Sequence, residues 1–275
     1  QKAEVTVMNE LLLSGEGLVK DFPLRRSVLT GKPTKVFRAL DGVSIELRSG
    51  ETLGIVGESG SGKSTAAELL GDLQKPSSGA VRYKGEDIRS LSAEDYAHYR
   101  RNVQFIFQDP MGSMNPHYRI ESILAEPLLT LRIELDAEKR REKARRMCAA
   151  VGLDESILGK YPSELSGGQC QRVAIARALI TEPEVLVCDE AVSALDVSVQ
   201  AQILNQLREL QRELHHSYIF ISHDIGVISF MSDRIAVMQK GKLIEYGPAK
   251  KVLSDPQQEY TKQLLKASFA RREEN

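Results

Sequence analysis

The chain has 275 residues, of which 41% are hydrophobic and 27% charged, a balance typical of a globular protein with a core of its own. Its 37 Lys and Arg residues against 38 Asp and Glu residues give a net charge of -1, which argues against a general electrostatic grip on nucleic acid. No stretch approaches the roughly 20 apolar residues that span a bilayer, and no signal-peptide pattern is recognisable, so membrane contact is expected through a partner.

The three cysteines, Cys148, Cys170 and Cys188, lie far apart and inside apolar segments. This pattern predicts buried thiols in a reducing compartment and not a disulfide or a metal site. Residues 1–7 precede the first methionine and are interpreted as an added remnant or a disordered segment outside the fold. Residues 266–275 are interpreted as a polar tail.

Strands and helices alternate along the chain in the predicted order. The first elements are strands over 43–47 and 52–56, a helix over 64–73, a strand over 103–107 and charged helices over about 120–150. The later ones are a helix after 169, a buried strand over 185–188, an amphipathic helix over 200–214 and strands over 218–221, 235–238 and 243–246. The polar segment 24–34 is expected as a loose loop.

Buried strands that alternate with helices predict an α/β fold, with a mostly parallel sheet covered by helices. The strands with alternating polarity predict a smaller antiparallel sheet beside it.

A phosphate-binding loop is predicted after the strand over 52–56. The residues from Gly57 to Ser64 match the pattern G-x-x-x-x-G-K-[ST], whose glycines let successive backbone N–H groups point at one anion. Lys63 is expected to reach the β- and γ-phosphates of a nucleotide, and the Ser64 hydroxyl to bind Mg²⁺. The nucleotide-binding residues predicted here are Gly57, Glu58, Ser59, Gly60, Ser61, Gly62, Lys63, Ser64 and Thr65.

Two acidic residues, Asp189 and Glu190, follow the buried strand over 185–188. Ligands of open α/β sheets gather at the carboxyl ends of the strands. Asp189 is therefore expected in the outer shell of Mg²⁺. Glu190 is expected to polarise the attacking water, because phosphoryl transfer asks the protein mainly for positioning and charge stabilisation.

The segment Leu165–Gln169 reads Leu-Ser-Gly-Gly-Gln at the start of a predicted helix. Ser166 fits a plain helix N-cap, and the two glycines also fit a second phosphate-binding helix end. A chain with one nucleotide loop and two such ends suggests that the second serves the nucleotide of a neighbouring molecule. The residues of this second end are Ser166, Gly167, Gly168 and Gln169.

Taken together, these motifs resemble those of the ATPases of the ABC family, over about residues 11–265. By this resemblance, Gln108 corresponds to the glutamine that contacts Mg²⁺ and senses a membrane subunit. Residues 193–196 correspond to the loop that crosses the dimer interface, and His223 corresponds to the histidine that contacts the γ-phosphate. The catalytic residues implied are Lys63, Glu190 and His223. The metal-binding residues implied are Ser64, Gln108 and Asp189.

The resemblance also implies a P-loop NTPase core with a small antiparallel β subdomain and an α-helical subdomain at about 110–165. These would form a single ATPase domain over 8–265. ATP and Mg²⁺ are the implied cofactors, and ATP is expected between the P-loop of one subunit and the Leu165–Gln169 segment of another. An aromatic residue before the P-loop is expected to stack on adenine; Phe22 fits best, Phe37 is also possible, and a core phenylalanine is the alternative.

Within the family, the segment Gln108–Pro127 resembles the ATPases of oligopeptide, dipeptide and nickel importers, as do the segments Asp196–Gln202 and Glu259–Leu265. In that group two paralogous ATPases serve two integral-membrane permease subunits and, indirectly, an extracellular solute-binding protein. The chain is thus expected at the cytoplasmic face of the membrane, with Met111, Met114 and Tyr118 on the surface that docks the permease. Ala191 stands where many relatives have proline, although alanine is also common. The chain is expected to lack the longer cysteine-bearing tail of many relatives, which loosens the link to any one solute.

Alternatives from other classes are a soluble ABC ATPase that assists a cytoplasmic enzyme complex, as in carbon–phosphorus lyase, and a DNA-repair or translation protein. The second class usually has two cassettes or long coiled-coil insertions. Whether the working ATPase pair consists of two paralogues or two copies of this chain does not follow from the sequence, and neither does the transported solute.

Overall fold

The computed structural model describes residues 10–26, 33–193 and 195–273. The extension predicted at 1–7, the middle of the predicted loop at 27–32, Ala194 of the interface loop and the last two residues of the predicted tail lie outside the described residues.

The described residues form ten strands and nine α-helices. The strands are β1 (Leu11–Arg26), β2 (Pro33–Arg48), β3 (Thr52–Val56), β4 (Ser78–Tyr83), β5 (Glu86–Asp87), β6 (Val103–Ile106), β7 (Val185–Asp189), β8 (Ser217–Ile221), β9 (Arg234–Gln239) and β10 (Lys242–Pro248). The helices are α1 (Lys63–Leu70), α2 (Ala93–Asn102), α3 (Ile120–Thr130), α4 (Ala137–Ala150), α5 (Gly167–Leu179), α6 (Val197–Leu214), α7 (Ile225–Met231), α8 (Ala249–Ser254) and α9 (Glu259–Glu273).

Two compact units divide the chain, one made of the residues up to Leu91 together with Ile219 onward, the other of Ser92–Tyr218. In the first unit β1 pairs with β2 and β4 in an antiparallel sheet, in the order β2-β1-β4-β5. The same unit contains β3 parallel to β9, with β10 antiparallel to β9. Parallel strands beside an antiparallel sheet, with helices between them in the chain, confirm the predicted α/β fold class.

In the second unit β6 and β7 run parallel, and the helices α3 and α4 pack with α5. Local signals explain where the helices begin. Ser92 caps α2 by accepting the Asp95 N–H at 3.1 Å, and Asp136 caps α4 by accepting the Lys139 N–H at 2.9 Å. On the predicted apolar face of α6, Ile203, Leu207 and Leu210 are buried as their three- and four-residue spacing predicts, whereas Leu214, at the last position of the helix, is 46% exposed.

All three cysteines are free and buried, as predicted. Burial raises the pKa of the Cys148 thiol to about 11, with a smaller contribution from Glu155. Burial also raises the pKa of Cys188, which is fully enclosed in β7. These thiols therefore behave as small apolar side chains of the core.

One part of the sequence-based prediction is wrong. The polar segment 24–34 was expected to be a loop, yet β1 continues to Arg26 and β2 begins at Pro33, with Pro23 opposite Val36. Backbone pairing between the two long strands is indifferent to side-chain polarity, so polar residues continue the ladder. Among the described residues, no helix combines the length and the apolar character that a membrane crossing requires.

A buried tyrosine gives a test of the packing in the second unit. Tyr218 is fully buried, and its hydroxyl donates a hydrogen bond to the Leu207 carbonyl at 2.9 Å. Tyr218→Phe removes this hydrogen bond, while the Leu207 carbonyl remains within α6, and we expect the free energy of unfolding to fall by about 0.5–1.5 kcal/mol in urea titrations. Tyr118→Phe is the control, because Tyr118 is exposed and should change stability by less than about 0.5 kcal/mol. Equal effects would contradict the assigned role of the buried hydroxyl.

Candidate active site

The glycines of the phosphate loop have backbone conformations that other residues rarely adopt. The loop follows β3 and runs into α1 at Lys63, as predicted. Gly57 has a φ of 153° and Gly62 a φ of 103°. A Cβ atom at Gly57 would lie 2.2 Å from the Met238 carbonyl oxygen, and one at Gly62 would lie 2.8 Å from the Ala39 carbonyl oxygen. Only glycine fits at these two positions, since conformation and close backbone approach both exclude a side chain.

The loop is also tied to the turn between β9 and β10. The Gly241 N–H donates to the Ser61 carbonyl at 2.9 Å, and the Asp41 N–H donates to the Gly241 carbonyl at 2.8 Å. The loop conformation thus depends on backbone segments that are far apart in the sequence.

Lys63 as a whole residue is only 5% exposed, and its ammonium group lies at the beginning of the loop. Its Nζ donates to the carbonyl oxygens of Gly57 and Glu58, each at 2.9 Å. The Ser61 hydroxyl is buried and has no hydrogen-bond partner within the described part of the chain. A buried cation and an unpartnered hydroxyl in one loop fit the binding of a phosphate group.

The first turn of α1 adds backbone donors to this loop. Its N-cap is Gly62, which has no side chain that could cap the first N–H groups. Uncapped N–H groups at a helix start, with the positive end of the helix dipole, favour an anion. The exposed Ser64 hydroxyl lies on the same turn.

His223 lies in the same unit as the loop and shares a cavity with it. The cavity has a volume of about 470 Å³. Its lining includes His223, Gly57, Glu58 and Ser59. The structure therefore brings the predicted histidine to the phosphate loop, although 160 residues separate them in the sequence.

The two candidates for adenine stacking turn out to be neighbours. Phe22 in β1 and Phe37 in β2 stand directly opposite each other in the antiparallel pair. Directly paired residues project from the same face of a sheet. Phe37 is 51% exposed, and the Lys20 ammonium lies 5.1 Å from the centroid of the Phe22 ring. The sequence pattern of the strands does not predict that these two phenylalanines are paired across β1 and β2.

The predicted acidic residues lie in the second unit, at the end of β7. Asp189 is the last residue of the strand. Glu190 follows with a φ of 47°, a left-handed conformation that is uncommon for residues other than glycine. Its carboxylate accepts a hydrogen bond from Gln108 Nε2 at 2.9 Å. The structure thus joins two predicted site residues that are 82 positions apart.

A tight turn after Glu190 leads into α6. The Ser193 N–H and hydroxyl both donate to the Glu190 carbonyl, at 3.1 and 2.9 Å. Asp196 then caps α6 by accepting the Val199 N–H at 2.9 Å and the Ser198 hydroxyl at 2.7 Å. The Val199 N–H, followed by the Ser198 hydroxyl, holds the pKa of Asp196 below its usual value, so this cap is a carboxylate.

The Leu-Ser-Gly-Gly-Gln segment forms the start of α5, as predicted. Ser166 is the N-cap and accepts the Gln169 N–H at 3.3 Å, while Gln169 Oε1 accepts the Ser166 N–H at 3.0 Å. This reciprocal pair is a capping box. Gly167 has no atom within 4 Å of a hypothetical Cβ, so the face of the helix start at Gly167 is open.

The segment after Gln108 corrects one of the surface predictions. Met111 and Tyr118 are 45% and 49% exposed, whereas Met114 is only 4% exposed and belongs to the core. Arg177 of α5 stabilises the segment by donating a hydrogen bond to the Ser113 carbonyl at 2.6 Å. Burial lowers the pKa of Arg177, although nearby Glu126 opposes the shift.

One contact of the phosphate loop was not predicted at all. The Glu58 N–H donates to the hydroxyl of Tyr260 at 3.1 Å, and Tyr260 lines the same cavity as His223. The sequence motif around Tyr260 indicated a branch of the family but gave no sign of this contact.

Comparisons with known proteins indicate the same family as the sequence motifs. The chain matches the family model described as ABC transporter over residues 40–193. It is 47% identical over 236 residues to the oligopeptide transport ATP-binding protein OppF of Salmonella typhimurium, covering 86% of this chain and 71% of that protein. It is 47% identical over 260 residues to the dipeptide transport ATP-binding protein DppF of Haemophilus influenzae, covering 94% and 79%.

The chain belongs to the ABC transporter family. A dimeric post-hydrolysis state of the ATP-binding cassette MJ0796 bound to ADP and phosphate is similar to it, with a TM-score of 0.76 at 29% identity over 86% of this chain and 99% of that one. The chain is thus an ABC ATPase with ATP as its substrate. Since its relatives are ATP-binding proteins of transporters, the transport assignment holds over a soluble enzyme complex.

A matched pair of glycine substitutions tests the loop of this ABC ATPase. Gly57→Ala introduces a methyl group 2.2 Å from the Met238 oxygen, so the loop must move. We expect affinity for a fluorescent ATP analogue to fall about 10- to 100-fold, the equivalent of about 1–3 kcal/mol of strain. Gly42→Ala is the control, because Gly42 has a φ of 73° but no atom within 4 Å of the new methyl group. Unchanged affinity in Gly57→Ala would contradict the role of this close approach.

Proposed function

We propose that this ABC ATPase energises the import of peptides or a related small solute, including nickel or a metal chelate, through separate permease subunits. The observation that carries this proposal is the 47% identity to oligopeptide and dipeptide transport ATP-binding proteins over most of the chain. The exposed Met111 and Tyr118 support it, because they lie in the segment whose family counterpart docks the permease.

In this proposal the first unit holds the nucleotide. The backbone N–H groups from Gly57 to Thr65 surround the phosphates, except the Glu58 N–H, which donates to Tyr260. Lys63 moves its hydrogen bonds from loop carbonyls to the β- and γ-phosphates. Phe22 or Phe37 stacks on the adenine, and the paired arrangement of the two rings supports this place for the base. His223 contacts the γ-phosphate from the shared cavity.

Mg²⁺ fits the donor chemistry of Ser64, Gln108 and Asp189, since hydroxyl, amide and carboxylate oxygens are the ligands this cation prefers. Because Gln108 Nε2 donates a hydrogen bond to Glu190, the Oε1 atom of the same amide is the one that can bind a cation. Held by these residues, Mg²⁺ would supply positive charge that neutralises the negative charge developing during transfer. Glu190 would orient and polarise the attacking water.

The working unit in this proposal is a head-to-tail pair. Ser166, Gly167, Gly168 and Gln169 of one ATPase would close over the nucleotide held by the other. The open face at Gly167 supports such a contact. By resemblance to importers with two paralogous ATPases, the partner is a different ATPase. The assembly lies at the cytoplasmic face of the membrane and contacts two permeases. The permeases receive solute from an extracellular binding protein.

Glu190→Gln tests the catalytic assignment. The amide has nearly the same shape but cannot act as a base, so we expect retained ATP binding and a turnover reduced about 10²- to 10⁴-fold in a phosphate-release assay. Glu182→Gln is the matched control, because Glu182 is also a glutamate in a left-handed conformation, with a φ of 54°, but lies outside the motifs. Near-normal turnover in Glu190→Gln would remove Glu190 from the catalytic role.

Uptake by the assembled importer tests the transport assignment. Tyr118→Ala should reduce the uptake of labelled oligopeptides by about tenfold or more while leaving the ATPase rate of the isolated chain within twofold, since each well-packed aromatic contact at an interface contributes at least 1–2 kcal/mol. Leu73→Ala, at a similarly exposed apolar residue of the other unit, is the control. Uptake of nickel but not of peptides would redirect the proposal to the metal branch, and uptake of neither would reject it.

A further inference from the structure

The peptide unit between Gly57 and Glu58 is held at both of its polar ends. Its carbonyl oxygen accepts a hydrogen bond from Lys63 Nζ at 2.9 Å, and its N–H donates to the Tyr260 hydroxyl at 3.1 Å. The two bonds lie on opposite sides of one amide, so each polarises the amide in the direction that strengthens the other. Lys63 and Tyr260 are thus linked through a single rigid group.

The surroundings leave this peptide little freedom. Gly57 has a φ of 153°, and a Cβ atom at this position would lie only 2.2 Å from the Met238 carbonyl oxygen. The Glu58 N–H donates to the hydroxyl of Tyr260, at the start of α9. Tyr260 therefore satisfies a backbone donor of the loop from outside the loop.

Tyr260 is itself held in place at the start of α9. The Glu245 carboxylate, on β10, accepts the N–H groups of Gln257 and Gln258 at 2.8 and 3.2 Å. These two residues immediately precede α9, and Tyr260 is its second residue. Burial raises the pKa of Tyr260, so its hydroxyl stays protonated at neutral pH.

We propose that Tyr260 is a positioning residue for the phosphate loop, which sets the Gly57–Glu58 peptide and, through it, the Lys63 ammonium before ATP binds. This proposal rests on the proposed role of Lys63 in binding phosphate. Its physical basis is preorganisation: a loop that already has its bound conformation loses less freedom when the ligand arrives. Because Tyr260 acts on the loop and not on the reacting atoms, it should influence ATP affinity more than the chemical step.

Tyr260→Phe removes only the hydroxyl and keeps the ring. In the 275-residue chain we expect the dissociation constant for ATP and the KM to rise about 3- to 10-fold, which corresponds to the loss of one hydrogen bond. The turnover at saturating ATP should stay within twofold. Amide hydrogen exchange at Glu58, measured without nucleotide, should become faster.

Tyr246→Phe is the matched control. The Tyr246 hydroxyl also accepts a backbone N–H, that of Glu46 at 3.2 Å, and donates to the Glu46 carbonyl at 2.8 Å, but it lies outside the phosphate loop. Both variants should lower the melting temperature, whereas only Tyr260→Phe should weaken ATP binding.

The outcomes separate this inference from the proposed function. If Tyr260→Phe lowers the melting temperature but leaves ATP affinity unchanged, the tyrosine is merely structural and the inference fails. Unchanged exchange at Glu58 would overturn it as well. If the unaltered chain binds no ATP at all, the proposed function itself fails, whatever the two tyrosine variants show.

Discussion

A buried lysine ammonium needs compensating dipoles, and the geometry of the phosphate loop follows from that need. An unpaired charge taken out of water costs several kcal/mol. The carbonyls of Gly57 and Glu58 meet Lys63 at 2.9 Å each, and they can point inward only because the backbone at Gly57 takes a conformation closed to other residues. Phosphate oxygens are stronger acceptors than carbonyls, so ATP competes for a cation that is already in place.

The proposed catalytic residue Glu190 has a left-handed backbone conformation, with a φ of 47°. A non-glycine residue in the left-handed region costs on the order of 1–3 kcal/mol and persists only where its surroundings fix it. Here Ser193 fixes the carbonyl with two hydrogen bonds, and Gln108 fixes the carboxylate. The bond from Gln108 also means that any movement of the segment after this glutamine alters the position of the carboxylate. A docked permease would thereby have a direct physical route to the residue proposed to act on water.

Local patterns were sufficient to predict the phosphate loop, the acids after β7 and the capping box at Ser166, because strand, turn and helix signals there lie within a few residues. Local patterns were insufficient where the structure depends on contacts between residues that are distant in the sequence. The pairing of Phe22 with Phe37, the bond from Arg177 to the Ser113 carbonyl and the bond between Glu58 and Tyr260 each join segments that the sequence separates. The continuation of β1 and β2 into the polar segment has the same origin, since the ladder is made by backbone and not by side chains.

These two kinds of constraint fall in different units of the chain. The loop that grips phosphate is shaped by distant backbone segments at Ala39, Met238 and Gly241, so its conformation exists only when the first unit is folded. The turn after Glu190, by contrast, is stabilised by hydrogen bonds within three residues. Damage to these three backbone segments should therefore appear as lost ATP affinity. Changes around Glu190 should appear as lost turnover with binding intact, because the groups that bind and those that polarise water are positioned by separate sets of contacts.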